Sequence, residues 1–339
     1  MKYNREFEKE NHWFRYCSGI LIGLLVMLAA CSSKDNEIQT DNIEEVSANS
    51  TEISTGDEED VLSQVSADAE DNGEQELSGE IGGEEEEIIE QPYAFRFVDV
   101  YGEEYETIIK AGFPKTEYSN ESFWYEDERT GYEDEIYGSR QGVDVSHHQG
   151  VIDWNKVKAA GIEFAILRIG YRGYGQEGTV KLDKEFKRNI ENAQAAGIDI
   201  GVYFFAQAIN EDEAREEADF VLKNLEGYEL QLPIVYDPES ILDAPARTDD
   251  VSGGQFTKNT IVFCEAVKEA GYIPMIYSNM LWEAFEFDME QLDMYQFWYA
   301  DYEKIPQTPY AYEMWQYSNE GHVDGINGFV DLDIQFIKK

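Results

Sequence analysis

From residue 142 onward the chain alternates apolar runs with helical patterns in units of about 35 residues, a rhythm that restricts it to parallel strands joined by helices. The runs fall at 142–145, 164–169, 198–205, 232–236, 273–277 and 297–300, and helical patterns at 183–196, 211–225 and 256–270 lie between them. Three helices close on an Ala-Gly pair, at Gly161, Gly197 and Gly271, where glycine serves as a left-handed C-cap before the next strand. Parallel strands form either a closed barrel or a doubly wound sheet. Residues 314–336 read as strands and turns without a long helix, and no Gly-x-Gly-x-x-Gly follows the first strand. A barrel closed by a few helix-poor strands therefore fits better.

Within this frame the segment Val235-Tyr236-Asp237-Pro238-Glu239 places two carboxylates two residues apart, directly after an apolar run. In a strand such residues share one face, about 6.6 Å apart along the chain. Pro238 lacks a backbone donor, so a central ladder ends here and both acids stand at the strand's mouth, where α/β barrels carry their catalytic acids. Taken alone, Asp-x-Glu is weak evidence, because acidic pairs also serve structural networks.

The N-terminal part has a different composition. Lys2, Arg5, Lys9 and Arg15 precede an apolar run at 19–30, the length of a signal segment and short for a membrane span. Leu28-Ala29-Ala30-Cys31 resembles a bacterial lipobox, so residues 1–31 read as a lipoprotein signal peptide with Cys31 as the lipidated residue. An uncleaved signal anchor is the alternative; either way the rest of the chain lies outside the membrane, on its outer face. Residues 32–92 carry about twenty Asp and Glu against the single Lys34 and read as a disordered acidic tether. Residues 93–140 regain aromatic residues and read as a small extension packed on the main domain, 141–339; a separate wall-binding module is the alternative, and fewer than 50 residues without disulfide or metal are marginal alone. The formal charge of −45 and the lack of a basic stripe argue against a nucleic-acid partner.

The sequence from Gly142-Val143-Asp144-Val145-Ser146-His147-His148-Gln149-Gly150 to Ile152-Asp153-Trp154, with Arg168-Ile169-Gly170-Tyr171, Gly201-Val202-Tyr203-Phe204-Phe205, Asp237-Pro238-Glu239, Ile276-Tyr277-Ser278, Trp315-Gln316-Tyr317 and Val330-Asp331-Leu332-Asp333, resembles glycoside hydrolase family 25, the muramidases that cut bacterial peptidoglycan. The resemblance spans about 195 residues, in order. It implies a flattened (β/α) barrel with a groove at the strands' C-terminal ends, no cofactor and no metal in the chemistry. It also implies hydrolysis of the β-1,4 bond between N-acetylmuramic acid and N-acetylglucosamine in peptidoglycan glycan strands. By position, Glu239 matches the proton donor, Asp237 its partner, and Asp144 and Asp331 two further acids of the groove. Asp333 lies on the same strand face as Asp331 and leaves that last assignment ambiguous.

The chemistry agrees with these roles. Glycosidic cleavage needs a proton on the leaving oxygen and negative charge near an oxocarbenium-like centre, and crowded carboxylates raise one another's pKa. Direct attack by water, a carboxylate nucleophile and the substrate's own acetamide all stay open. Tyr203, Tyr277, Tyr299 and Trp315 are candidates to stack on sugar rings, with core packing as the alternative for each; Trp298 belongs to the same aromatic cluster. Tyr236 points to the opposite face from Asp237, which favours packing. His147 and His148 suit a hydrogen-bonding role better than a metal site, Arg168 is expected to neutralise buried carboxylates, and Cys264 to be a buried free thiol. The expected protein is a monomer held at the membrane through Cys31. A competing reading keeps the fold without the activity, as a tethered glycan-binding lipoprotein. A chitinase-like barrel would carry Asp-x-x-Asp-x-Asp-x-Glu, which the Pro233-Ile234-Val235 stretch excludes.

Overall fold

A computed structural model of the protein describes residues 91–339, apart from 111, 114 and 243. The readings for the signal segment, for Cys31 and for the acidic tether up to residue 90 lie outside the described residues. Among the described residues no helix is long and apolar enough to cross a membrane.

Two short hairpins come first, β1 (Tyr93–Val98) with β2 (Glu104–Ile109), and β3 (Phe123–Glu126) with β4 (Arg129–Tyr132). The main domain follows as β5 (Tyr137–Val145), α1 (Trp154–Ala159), β6 (Phe164–Arg172), β7 (Val180–Leu182), α2 (Phe186–Ala195), β8 (Asp199–Ala206), α3 (Glu211–Asn224) and β9 (Ile234–Pro238). It ends with α4 (Gly253–Glu269), β10 (Pro274–Asn279), α5 (Met289–Leu292), β11 (Gln296–Ala300), β12 (Met314–Gly321) and β13 (Val330–Lys338). The sheet order β5-β13-β12-β11-β10-β9-β8-β6, with β6 pairing back to β5, closes an eight-stranded barrel, and β7 hangs from β6 outside the ring. Strands β5, β6 and β8 to β12 run parallel; β13 runs against both of its neighbours. The structure is thus the closed β/α barrel that the strand rhythm predicts.

Local chemistry sets the helix ends. Asn210 accepts from the Glu213 N–H at 3.0 Å and Ser252 from the Gln255 N–H at 3.3 Å, while Glu211, Asp212 and Glu213 place negative charge on the first turn of α3. Gly161, Gly197 and Gly271 have φ of 89°, 74° and 88°, so each helix before them ends in the left-handed conformation that the Ala-Gly pairs signal.

Strand alternation sorts the residues into three apolar clusters. Phe164, Ile166, Val235, Met275, Trp298 and Met314 fill the barrel interior. Val143, Leu167, Val202, Ile234 and Tyr236 face outward against the helices, with Phe186, Ile190, Val221 and Phe263 as partners. The outer faces of β11, β12 and β13 belong to a third cluster, built with Phe97, Phe123 and Tyr132 of residues 93–140 and with residues of α4 and α5. Tyr118 stacks on Phe336 at 3.8 Å between ring centroids, Phe123 meets Trp315 edge-on at 5.5 Å, and Phe97 lies 6.2 Å from Phe285. Cys264 sits inside α4 as a buried free thiol.

Because Phe123 is shared between the extension and the barrel wall, Phe123→Ala is expected to lower the unfolding free energy by roughly 3–5 kcal/mol. Urea denaturation followed by tryptophan fluorescence and circular dichroism checks this. One cooperative transition with a lower midpoint is expected; a separate early transition would show that the extension folds independently of the barrel.

Candidate active site

The strand that carries the Asp-x-Glu pair is fully buried from Ile234 to Pro238 and alternates as a central strand must. Ile234 and Tyr236 turn outward, Tyr236 packing on Phe263 of α4 at 4.7 Å, while Val235 and Asp237 turn inward. Glu239 follows Pro238 at the rim. Its backbone carbonyl accepts a 2.7 Å hydrogen bond from Gln207 Nε2, and Gln207 is held in turn by Thr248 and by the buried carboxylate of Glu217. Glu217 pairs with Arg172 at 2.7 Å, and Arg247 pairs with Glu213 at 2.6 Å, so one buried ion network fixes the loops on this side of the mouth.

Across the barrel the antiparallel pairing of β5 with β13 sets Asp144 directly opposite Asp331. Like charges at facing positions repel, and burial, then Asp331 and Asp333, raise the Asp144 carboxyl well above the usual carboxylate range. Asp144 also accepts from Gln316 Nε2 at 2.8 Å. The outcome separates the two candidates on β13. Asp331 is partly exposed and lines the cavity, whereas Asp333 is fully buried one layer deeper and accepts from Trp298 Nε1 at 2.9 Å.

A cavity of about 800 Å³ opens at this end of the barrel, and Asp144, Asp237, Glu239 and Asp331 all line it. Burial is the main reason that each carboxyl titrates above its ordinary range, and repulsion from neighbouring carboxylates adds to it at Asp144, Asp237 and Glu239. Glu239 is pushed up to about 7 by burial and by Asp331, against the pull of Arg168. Asp331 also reaches about 7, and Asp144 and Asp237 are raised well above the usual carboxylate range. Asp237 is 5% exposed, and its Oδ1 has no hydrogen-bond partner among the described residues. A buried, unpartnered carboxyl oxygen at a cavity wall marks a group kept for a ligand.

Arg168 faces the same cavity, but its guanidinium is engaged by Asp183 at 2.8 Å and contacts His147. Against burial, the Glu185 N–H and Arg168 hold Asp183 below the ordinary carboxylate range. His147 takes the hydrogen-bonding role, with Nδ1 3.2 Å from Asp183. Burial, then His147 and Arg168, lower the pKa of His148.

Of the four aromatic candidates, the structure brings Tyr203 and Tyr277 to the cavity. Tyr277 donates to Gln316 Oε1 at 2.9 Å and meets Trp298 edge-on at 4.8 Å. Tyr299 and Trp315 do not reach it, which corrects the expectation from sequence. They occupy outward positions on β11 and β12, buried under the extension; Trp315 donates to the Asp301 carbonyl at 2.8 Å and Tyr299 to the Asp301 carboxylate at 2.9 Å. Their inward neighbours Trp298 and Gln316 line the cavity instead. Tyr302, just past the end of β11, also lines it and donates to Gln316 Oε1 at 3.0 Å. Gln316 was legible as the one polar residue between Trp315 and Tyr317; Tyr302 lies beyond the strand and carries no periodic signal.

Comparison with known proteins gives a consistent picture. The family model described as Glycosyl hydrolases family 25 matches residues 143–326. Lysozyme M1 of Streptomyces globisporus is 27% identical over 212 residues, 56% of this chain and 66% of the relative. The autolytic lysozyme of Clostridium acetobutylicum is 26% identical over 196 residues, 57% of this chain and 55% of the relative. The chain therefore spans less than two thirds of the length of either. Among solved structures, the modular autolysin LytC from Streptococcus pneumoniae shares the fold, with a TM-score of 0.52 at 23% identity over 73% of this chain and 58% of that one.

The buried Asp333 generates a pH prediction. Burial, then Asp331, raises its carboxyl in the folded state, so its contribution to stability is full below the ordinary carboxylate pKa of about 3.9 and is lost as pH rises. Asp333→Asn keeps an acceptor for Trp298 and removes that loss. Thermal unfolding from pH 5 to 8 is expected to show a shallower decline, with a midpoint at pH 8 raised by a few degrees. An unchanged slope would assign the pH dependence to other groups.

Proposed function

Since this chain belongs to glycosyl hydrolases family 25, we propose that it hydrolyses the β-1,4 bond between N-acetylmuramic acid and N-acetylglucosamine in peptidoglycan, with Glu239 as proton donor and Asp237 as partner carboxylate. The observation that carries this reading is the pairing of Glu239 with Asp237 at the rim of a carboxyl-rich cavity, with the Glu239 pKa raised to about 7.

Two adjacent buried carboxyls do not ionise together at low cost, so the pair keeps a proton through neutral pH. Glu239 is the more accessible of the two and the one able to pass that proton to a glycosidic oxygen. Asp237 and the Asp144–Asp331 pair then offer negative charge to the sugar carbon as positive charge develops. Tyr203, Tyr277, Trp298 and Tyr302 supply amphipathic walls that hold pyranose rings by their C–H faces and hydroxyl groups. The membrane placement belongs to the same proposal: lipidation at Cys31 holds the catalyst at the outer face of the membrane, within reach of the wall.

Digestion of purified peptidoglycan followed by reductive labelling tests the reaction. New reducing ends are expected on muramic acid, and Glu239→Gln is expected to lower their rate of release by about 100- to 10,000-fold. New ends on glucosamine would move the specificity to the other bond, and binding without new ends would favour a silent glycan-binding protein. The rate is expected to fall as pH rises through about 7, where Glu239 loses its proton. Fractionation tests the anchor: Cys31→Ala is expected to release the protein from membranes, and wholly membrane-bound variant would refute lipidation as the tether.

A further inference from the structure

Gln316 stands where four elements of the barrel mouth meet. It projects inward from β12, is 4% exposed and lines the cavity. Its Nε2 donates to Asp144 Oδ2 of β5 at 2.8 Å, and its Oε1 accepts from the Tyr277 hydroxyl of β10 at 2.9 Å and from the Tyr302 hydroxyl, just past β11, at 3.0 Å. Register makes these contacts possible. Gln316 pairs with Ala300 on β11 and with Asp333 on β13, and β13 in turn sets Asp331 against Asp144, so the amide reaches Asp144 across the width of β13.

The oxygen and nitrogen of a carboxamide have nearly the same shape, so its partners decide which way it lies. Here two phenol donors fill both lone pairs of Oε1, and the amide nitrogen is left for Asp144. In the reverse orientation Oε1 would face Asp144 Oδ2, a contact that needs a proton on Asp144. The two tyrosines thus lock the side chain with its donor toward the carboxyl.

The surroundings of Asp144 give that donor its importance. The titratable groups facing it are Asp331 and Asp333 from β13, Asp237 from β9, Tyr203 from β8, Tyr277 from β10 and Tyr302 from the loop after β11. All are acids or phenols. Arg168 of β6 lines the same cavity but is engaged by Asp183. Burial, then Asp331 and Asp333, favour a proton on Asp144, and the hydrogen bond from Gln316 acts the other way.

We propose that Gln316, locked by Tyr277 and Tyr302, is a positioning residue that aims the Asp144 carboxyl and favours its ionised form, so that Asp144 offers negative charge as the sugar carbon becomes positive. The proposal rests on the glycosidase reading and adds to it the group that readies one of its acids.

The experiment measures the pH profile of kcat/KM for the full chain on peptidoglycan glycan strands, together with the ionisation of Asp144 by carbon-13 NMR of labelled aspartate, assigned with Asp144→Asn. Gln316→Met keeps the length of the side chain and removes donor and acceptor together. Its acidic limb is expected to move up by about one to two pH units, the size of a hydrogen bond to a charged group, and the Asp144 resonance to titrate higher in step. Tyr277→Phe and Tyr302→Phe keep the donor but loosen the lock, and are expected to give smaller shifts of the same sign; if Gln316→Met does not fold, these two variants decide by that sign. A limb that moves down would show that Asp144 donates a proton to Gln316 and would overturn the proposal. So would an unmoved limb in a folded variant, even with kcat/KM lower at every pH, which is the result of a merely structural role. Absence of hydrolysis by the wild-type chain would strike the glycosidase reading and leave the NMR titration to judge Gln316: an Asp144 that titrates alike in wild type and Gln316→Met overturns the proposal.

Discussion

Like-charge crowding in a closed space is the constraint around which this structure is arranged. Asp144, Asp237, Asp331 and Asp333 stand in or beneath one barrel mouth with Glu239, and the cation that acts on Asp237 and Glu239, Arg168, is already engaged by Asp183. A buried ionised carboxylate without a partner costs several kcal/mol, so the cluster retains protons instead. What would be a fault in a structural core becomes a stock of transferable protons at neutral pH. The barrel must still tolerate that strain, and its other surfaces supply the compensating burial.

Those surfaces differ on the two sides of the mouth. On the side of β6, β8 and β9 the walls rest on helices, and the Arg172–Glu217 and Arg247–Glu213 pairs tie the loops down to Gln207 and so to the Glu239 backbone. On the side of β11 to β13 aromatic residues of 93–140, among them Tyr118 and Phe123, join the cluster that α4 and α5 also enter. An inward Trp298 beside an outward Tyr299 is held from both faces at once. The helix-poor wall and the extension therefore share one apolar cluster, which residues of α4 and α5 complete.

The sequence made the strands and the acids legible because period-two alternation and the Asp-Pro-Glu stop are local signals. All six apolar runs are barrel strands, and Asp144, Asp237, Glu239 and Asp331 converge on one cavity. The aromatic assignments failed at Tyr299 and Trp315, each next to the residue that does line the cavity. In Phe297-Trp298-Tyr299 apolar character marks both faces, since both are buried, so parity is fixed only by the register with Tyr277 and Trp315 on neighbouring strands. The ambiguity between Asp331 and Asp333 has the same origin: both point inward, and depth along the barrel, set by the pairing of Asp331 with Asp144, tells them apart. Tyr302 was invisible because it lies in a loop with no periodicity, beyond the strand whose alternation places Trp298.

The reversed last strand has a consequence for how such a protein comes into being. β13 closes the ring between β5 and β12, so the barrel's last strand brings Asp331 opposite Asp144 on its first. Until β13 is inserted, β5 and β12 are open edges, and the mouth lacks one of its four carboxyls. Ribosomal synthesis delivers β13 after the other seven barrel strands, and contacts of such long sequence separation form late and slowly. A chain whose β13 has not yet inserted therefore lacks the facing Asp144–Asp331 pair, and the full set of carboxyls is assembled in the same step as closure of the barrel.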